Sequence, residues 1–177
     1  MDKNTLKYLC QNDLYFLTKN VLGYKELDDE PHVEVCQYLE TPESKKLLLL
    51  PRGTFKTTIG TIAKTIQEII KNPNIRILIF SETYSQSRAF LSEIKQHLER
   101  NNQLIGLFGQ FKKDPGWTEQ EITVLQRTGI YKEGTIMTGG VDIVVLKVPR
   151  GSKRIFFGSW VSRYSQTSTC GSSSSSL

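Results

Sequence analysis

The chain has 177 residues, 38% of them hydrophobic and 23% charged, and a mean hydropathy of −0.32. That is one ordinary soluble domain with an affordable core, and it excludes a disordered or fibrous chain. No apolar run approaches the roughly 18 residues of a membrane span, and Met1-Asp2-Lys3-Asn4 opens no secretory signal, so a cytosolic, non-membrane protein is expected. Cys10, Cys36 and Cys170 lack CxxC spacing and only His32 and His97 are present, which argues against a disulfide framework and a zinc or His-rich metal centre. The net charge of +5 sits at one end: residues 143–177 contain Lys147, Arg150, Lys153, Arg154 and Arg163 and no acid, whereas residues 1–142 are balanced.

In chain order, Leu6, Leu9, Leu14, Leu17 and Val21 fall near helical spacing, and a second short helix is expected to start at Pro31 and stop at Thr41-Pro42. Residues 46–50 form an apolar run closed by Pro51 and Gly53, read as a strand buried on both faces. From Thr57 the apolar positions Ile59, Ile62, Ala63, Ile66, Ile69 and Ile70 predict an amphipathic helix that stops at Asn72-Pro73. Residues 75–80 read as a second buried strand. Thr83 and Gln86 predict a capped helix to about Arg100, with Phe90, Leu91, Ile94 and Leu98 inward. This order of strand, helix, strand, helix implies a parallel α/β sheet. Residues 101–140 suggest an antiparallel insertion, anchored by Leu107-Phe108 and Trp117, with strands near 121–125 and 135–138. Beyond Ile143 the basic, serine-rich stretch reads as a low-complexity tail.

The segment with chemical content is Leu50-Pro-Arg-Gly-Thr-Phe-Lys-Thr-Thr58, between a strand reading and a helix reading. A phosphate-binding loop uses that setting, because a helix's first turn has unpaired N–H groups and the positive dipole end, while Lys and hydroxyl side chains reach phosphate and magnesium. Against GxxxxGK[ST], Lys56 and Thr57 match, but Leu50 and Phe55 stand in place of the two glycines. Gly53 offers a close backbone approach and Arg52 a second cation. The alternative is an ordinary turn, with Lys56 solvated and Thr57 or Thr58 capping the helix.

The loop PRGTFKTT, followed by RILIFSETYSQSRAFLSEIKQHLE, LFG, WTEQEITV and TIMTGG, resembles the N-terminal ATPase domain of tailed-phage large terminase subunits. The resemblance runs from about Pro31 to Asp142. It implies a P-loop NTPase-type parallel sheet flanked by helices, with a small antiparallel insertion and an incomplete C-terminal end: a partial ATPase domain over 1–142 and a tail over 143–177. It implies ATP and magnesium as cofactors. Lys56 would contact the β- and γ-phosphates, Arg52 the γ-phosphate and Thr57 the magnesium, while Gly53, Thr54, Phe55, Lys56, Thr57 and Thr58 line the nucleotide. His32 and Gln37 become candidates for contacting adenine; the alternatives are a half-exposed helix-start residue and a solvated helix face. Glu82, at the end of the second strand, is either near the site or a helix N-terminal acid. Trp117, Tyr84 and Phe90 read as core rather than as stacking platforms for bases.

The resemblance also implies double-stranded DNA, a portal protein and a small terminase subunit as partners, a ring assembly, no membrane, and the host cytoplasm. The acid pair that such an ATPase places at the end of a hydrophobic strand is expected near 155–160, where Gly158 and Ser159 stand instead. Asp142 is the last acid and reads as a turn residue. The nuclease domain and DNA-coupling motif are likewise lacking, and a departure from the family reading frame near 144–147 is one account of the composition step. The rival readings are another P-loop motor fragment, such as a helicase, and a non-catalytic module whose basic tail contacts nucleic acid.

Overall fold

The computed structural model describes residues 2–43, 45–140 and 156–159. The expectations placed on Asp142, on the tail other than residues 156–159 and on Cys170 lie outside these residues.

The expected first helix is divided. Asp2 caps α1 (Lys3–Asn12) by accepting from Asn4 N, and Asp13 leaves the helical conformation to cap α2 (Leu14–Phe16), accepting from Phe16 N at 2.8 Å. A π-helical turn, Leu17–Val21, follows directly. Helix α3 (His32–Glu40) starts after Pro31 and ends at Thr41, as the sequence indicates. Beyond the loop a continuous helix begins at Lys56, passes through a π-helical turn at Thr58–Ala63 and becomes α4 (Lys64–Lys71). Strand β1 (Ile77–Ser81) leads through Glu82-Thr83 into α5 (Tyr84–Arg100), whose N-cap Thr83 accepts from Gln86 N. Helix α6 (Asn102–Phe108), β2 (Lys112–Trp117), β3 (Glu121–Val124), β4 (Ile136–Gly140) and β5 (Phe156–Ser159) complete the described chain.

The architecture is mixed α/β. One five-stranded sheet has the order β2-β3-β4-β1-β5, with β4 and β5 both parallel to β1 and β2-β3-β4 joined antiparallel. The antiparallel insertion is therefore present, and β2 and α6 add to it elements that periodicity alone did not reveal. Strand β5 lies within the basic stretch 143–177 and pairs with β1.

Residues 46–50 correct a strand assignment. They have no ladder, and Leu47 and Leu49 are 74% and 80% exposed, while Leu48 and Leu50 pack on the core. A strand buried on both faces needs neighbours on both edges and layers on both sides. Here Tyr38 takes the place of a neighbouring strand at one residue: its hydroxyl accepts from Leu47 N at 3.2 Å and lies 3.3 Å from Leu47 O. Strand β1 is likewise less enclosed than its sequence suggests, since Ile77, Ile79 and Ser81 are buried but Leu78 and Phe80 only partly so.

The core joins Ile59, Ile62, Ile66 and Ile69 of the loop-bearing helix with Ile77 and Ile79 of β1 and Leu91, Ile94 and Leu98 of α5, all nearly inaccessible. Polar groups connect the N-terminal helices to this layer. Lys64 pairs with Glu68 at 2.9 Å and donates to Gln67 Oε1, Gln67 donates to Glu40 Oε1 at 2.6 Å, and the same oxygen accepts from Leu14 N. A charged amine this deeply buried requires such partners. Among the described residues no helix is long and apolar enough to cross a membrane.

Candidate functional site

Topology brings two helix N-termini to one edge of the sheet. Only residues 72–76 separate α4 from β1, and only Glu82-Thr83 separate β1 from α5, so both helices run back against the strand direction. The loop-bearing helix and α5 pack together. The loop before Lys56 therefore lies at the carboxyl end of β1, the edge at which open α/β sheets take ligands. At that edge Ser81 is in register with Gly140 on one side and Ser159 on the other. Gly140 is packed so closely on the start of α5 that a Cβ there would lie 2.6 Å from Tyr84 N, which accounts for a glycine at the end of TIMTGG.

The loop itself is tightly turned. Gly53 has φ +81° and Phe55 φ +50°, with Thr54 between them donating its hydroxyl to Pro51 O at 2.9 Å. Phe55 occupies the position of the second glycine in the phosphate-loop pattern, and it adopts a left-handed backbone of the kind glycine takes without strain. For a bulky L-residue that conformation costs roughly 1–2 kcal/mol and survives only where neighbouring contacts hold it. Phe55 O accepts from Ile59 N at 2.8 Å, the first bond of the helix, which leaves the N–H groups of the first turn directed out of the helix end.

Lys56 folds back over this turn and donates from Nζ to Leu50 O at 2.8 Å, closing a ring from the first position of the pattern to the seventh. Among the described residues this is its one hydrogen bond, which leaves two of its three ammonium hydrogens for a ligand. Arg52 and Gly53 are exposed, and Thr54, Lys56, Thr57 and Thr58 are half-buried around the same turn. The turn thus presents cations, hydroxyls and first-turn N–H groups together, a set suited to a polyphosphate. For magnesium the fit is thinner: Thr57 offers a hydroxyl, but among the described residues no group of three or more His, Cys, Asp or Glu side chains could hold a metal.

The other candidates separate. His32 is not the half-exposed residue expected at a helix start; it is 5% exposed and its ring meets Phe55 edge-on at 5.5 Å between centroids. Its Nδ1 lies 3.0 Å from Asp28 N and 3.1 Å from Asp28 O, so little ring surface is left for a base. Gln37 is exposed on α3. Glu82 is exposed at the end of β1, beside the α5 cap. Phe90 and Trp117 pack on the core, and the Trp117 indole N–H donates to Glu99, while Tyr84 is half-buried with the Arg88 guanidinium 5.9 Å from its ring. Spacing alone could not reveal three contributors to the loop: the Leu50 carbonyl, the backbone sign at Phe55 and the Asp28 anchor of His32.

Fold and loop together define a mixed α/β chain with a cation-bearing turn at a helix N-terminus. Comparison with protein-family models, curated proteins and solved structures gave no match.

Proposed function

We propose that the chain binds the polyphosphate of ATP at the loop 50–58, as the nucleotide-binding part of a DNA-packaging motor of the large-terminase type. The observation that carries this reading is the closed turn, in which Phe55 adopts a glycine-like φ of +50° and Lys56 reaches back to the Leu50 carbonyl. Further support comes from the parallel strands on both sides of β1, whose carboxyl edge is where open α/β sheets take ligands, although the segment before the loop adds no strand to this sheet.

In this reading Lys56 engages the β- and γ-phosphates, Arg52 the γ-phosphate, and the first-turn N–H groups the phosphate oxygens between them. Thr57 would supply a hydroxyl to magnesium, which neutralises charge on the phosphates when bound. The partners are double-stranded DNA, a portal protein and a small terminase subunit, in a ring assembly in the host cytoplasm. Hydrolysis is expected near background, because Gly158 and Ser159 stand where the water-activating acids would be, and general-base assistance is worth about 10²–10⁴ in rate.

Calorimetric titration of the full chain with ATP and magnesium tests the proposal. Lys56→Ala should weaken binding by about 1.5–3 kcal/mol, roughly 10- to 150-fold, the worth of a hydrogen bond to a charged group. Equal ATP affinity in Lys56→Ala and wild type would overturn the reading. Turnover on the order of 1–100 s⁻¹ would overturn the inference about hydrolysis.

A further inference from the structure

We infer that His32 is a positioning residue for the loop: its buried ring braces Phe55 in the left-handed conformation and thereby sets the direction of Lys56 and the first helical turn. The inference rests on the nucleotide reading of the loop, and it assigns His32 a role in holding phosphate rather than adenine.

Three observations carry it. The backbone of Phe55 is the unfavourable element of the turn, since it is the only non-glycine residue with positive φ among those described. Such a conformation persists where its surroundings hold it. The His32 ring meets Phe55 at an interplanar angle of 84°, the edge-to-face geometry that aromatic pairs favour. The ring is itself fixed from behind, because Nδ1 can accept from Asp28 N or, in the other tautomer, donate to Asp28 O. His32 opens α3 while Phe55 precedes the loop-bearing helix, so the pair links two elements that are separate in sequence. Lys56 follows Phe55 directly, and any relaxation of φ at residue 55 redirects both the Lys56 side chain and the N–H groups behind it.

The experiment compares binding of ATP and of inorganic tripolyphosphate to the full chain in wild type, His32→Ala, His32→Phe, Phe55→Gly and the double variant His32→Ala/Phe55→Gly, each checked for folding by circular dichroism. His32→Ala should weaken both ligands about tenfold, because the brace serves phosphates and ignores the base. His32→Phe keeps an aromatic edge against Phe55 and should stay within about twofold of wild type for both. In the Phe55→Gly background, where glycine adopts positive φ without a brace, adding His32→Ala should change affinity by less than about twofold. If His32→Ala weakens ATP but leaves tripolyphosphate unchanged, His32 contacts the base and the inference falls. It also falls if His32→Phe behaves like His32→Ala, or if the two substitutions act independently.

Failure of the nucleotide reading looks different: wild type would bind neither ligand. The brace is then read from hydrogen exchange of the Ile59 amide, which donates to Phe55 O. Exchange there should be faster in His32→Ala than in His32→Phe, and equal rates would overturn the brace.

Discussion

Two short apolar runs, residues 46–50 and 75–80, look interchangeable in sequence and have opposite fates. The second supplies β1, an interior strand of the sheet, with β4 on one edge and β5 on the other. The first stays a segment without a ladder, two of its leucines exposed. Hydrophobicity brings a segment toward the core, but a strand also needs partners for its N–H and C=O groups. Ile77 to Ser81 find theirs in residues 136–140 and 156–159, more than 50 positions away. Among the described residues, 46–50 find only single side chains: Tyr38 at Leu47, and the Lys56 ammonium at the Leu50 carbonyl. The second of these contacts closes the loop, so in this chain the segment without a ladder is also the one that holds the Lys56 ammonium.

The largest effect separating the two runs should come from Ile79→Ala. Ile79 is fully buried at the middle of β1, and truncating such a residue typically costs about 2–5 kcal/mol in lost transfer and cavity terms. Urea unfolding should show the midpoint falling with little change in slope. A loss below about 1 kcal/mol would mean that β1 is not a core-forming interior strand.

The contrast between the runs also shows what was legible from sequence. The loop-bearing helix was readable because Ile59, Ile62, Ile66 and Ile69 repeat at helical spacing and tertiary packing agrees with that period. Helix α5 was readable from its cap at Thr83, and β3 and β4 from their apolar runs in turn-rich surroundings. Strand β2 was not, since its residues KKDPGW include Pro115 and Gly116 and carry no alternation; it forms because β3 offers an edge. The ladder failure at 46–50 was invisible for the converse reason, as partner supply is a non-local property. At the site, Lys56 and Thr57 were legible as a pattern, but the left-handed φ of Phe55 and the burial of His32 depend on contacts between α3 and the loop.

An intermediate effect should appear with pH, and it belongs to the β1 side of the comparison. His97, on α5, sits in a cluster with Tyr24 and Glu93. Tyr24 donates to Glu93 Oε1 at 2.5 Å, and its oxygen lies 2.8 Å from His97 Nε2. Burial holds the His97 pKa below its ordinary value, a shift that the nearby Glu93 charge only partly opposes. The folded state therefore binds a proton less readily than the unfolded state, whose histidines titrate near 6.5. Stability is fully present above about pH 6.5 and falls as pH drops below it toward the lowered folded value. Thermal unfolding between pH 7 and 5 should show this limb, and His97→Gln should flatten it. The carboxylates held below their ordinary range, Asp29, Glu43 and Glu133, act at lower pH and leave that window clear. An unchanged limb in His97→Gln would place its origin elsewhere.

The smallest effect should be at the outward side of the 46–50 run. Leu49 is 80% exposed, so replacing it with serine removes little buried surface, and the stability change should fall within about 0.5 kcal/mol. The inward residues of the same run, Leu48 and Leu50, pack on the core, and Leu48 lies against Gly60 in the π-helical turn that follows the loop. Leu49→Ser therefore tests one face of the run without touching the face that seats it. A loss above about 2 kcal/mol would show that Leu49 is covered in the folded protein and that the two apolar runs are closer in kind than their ladders suggest.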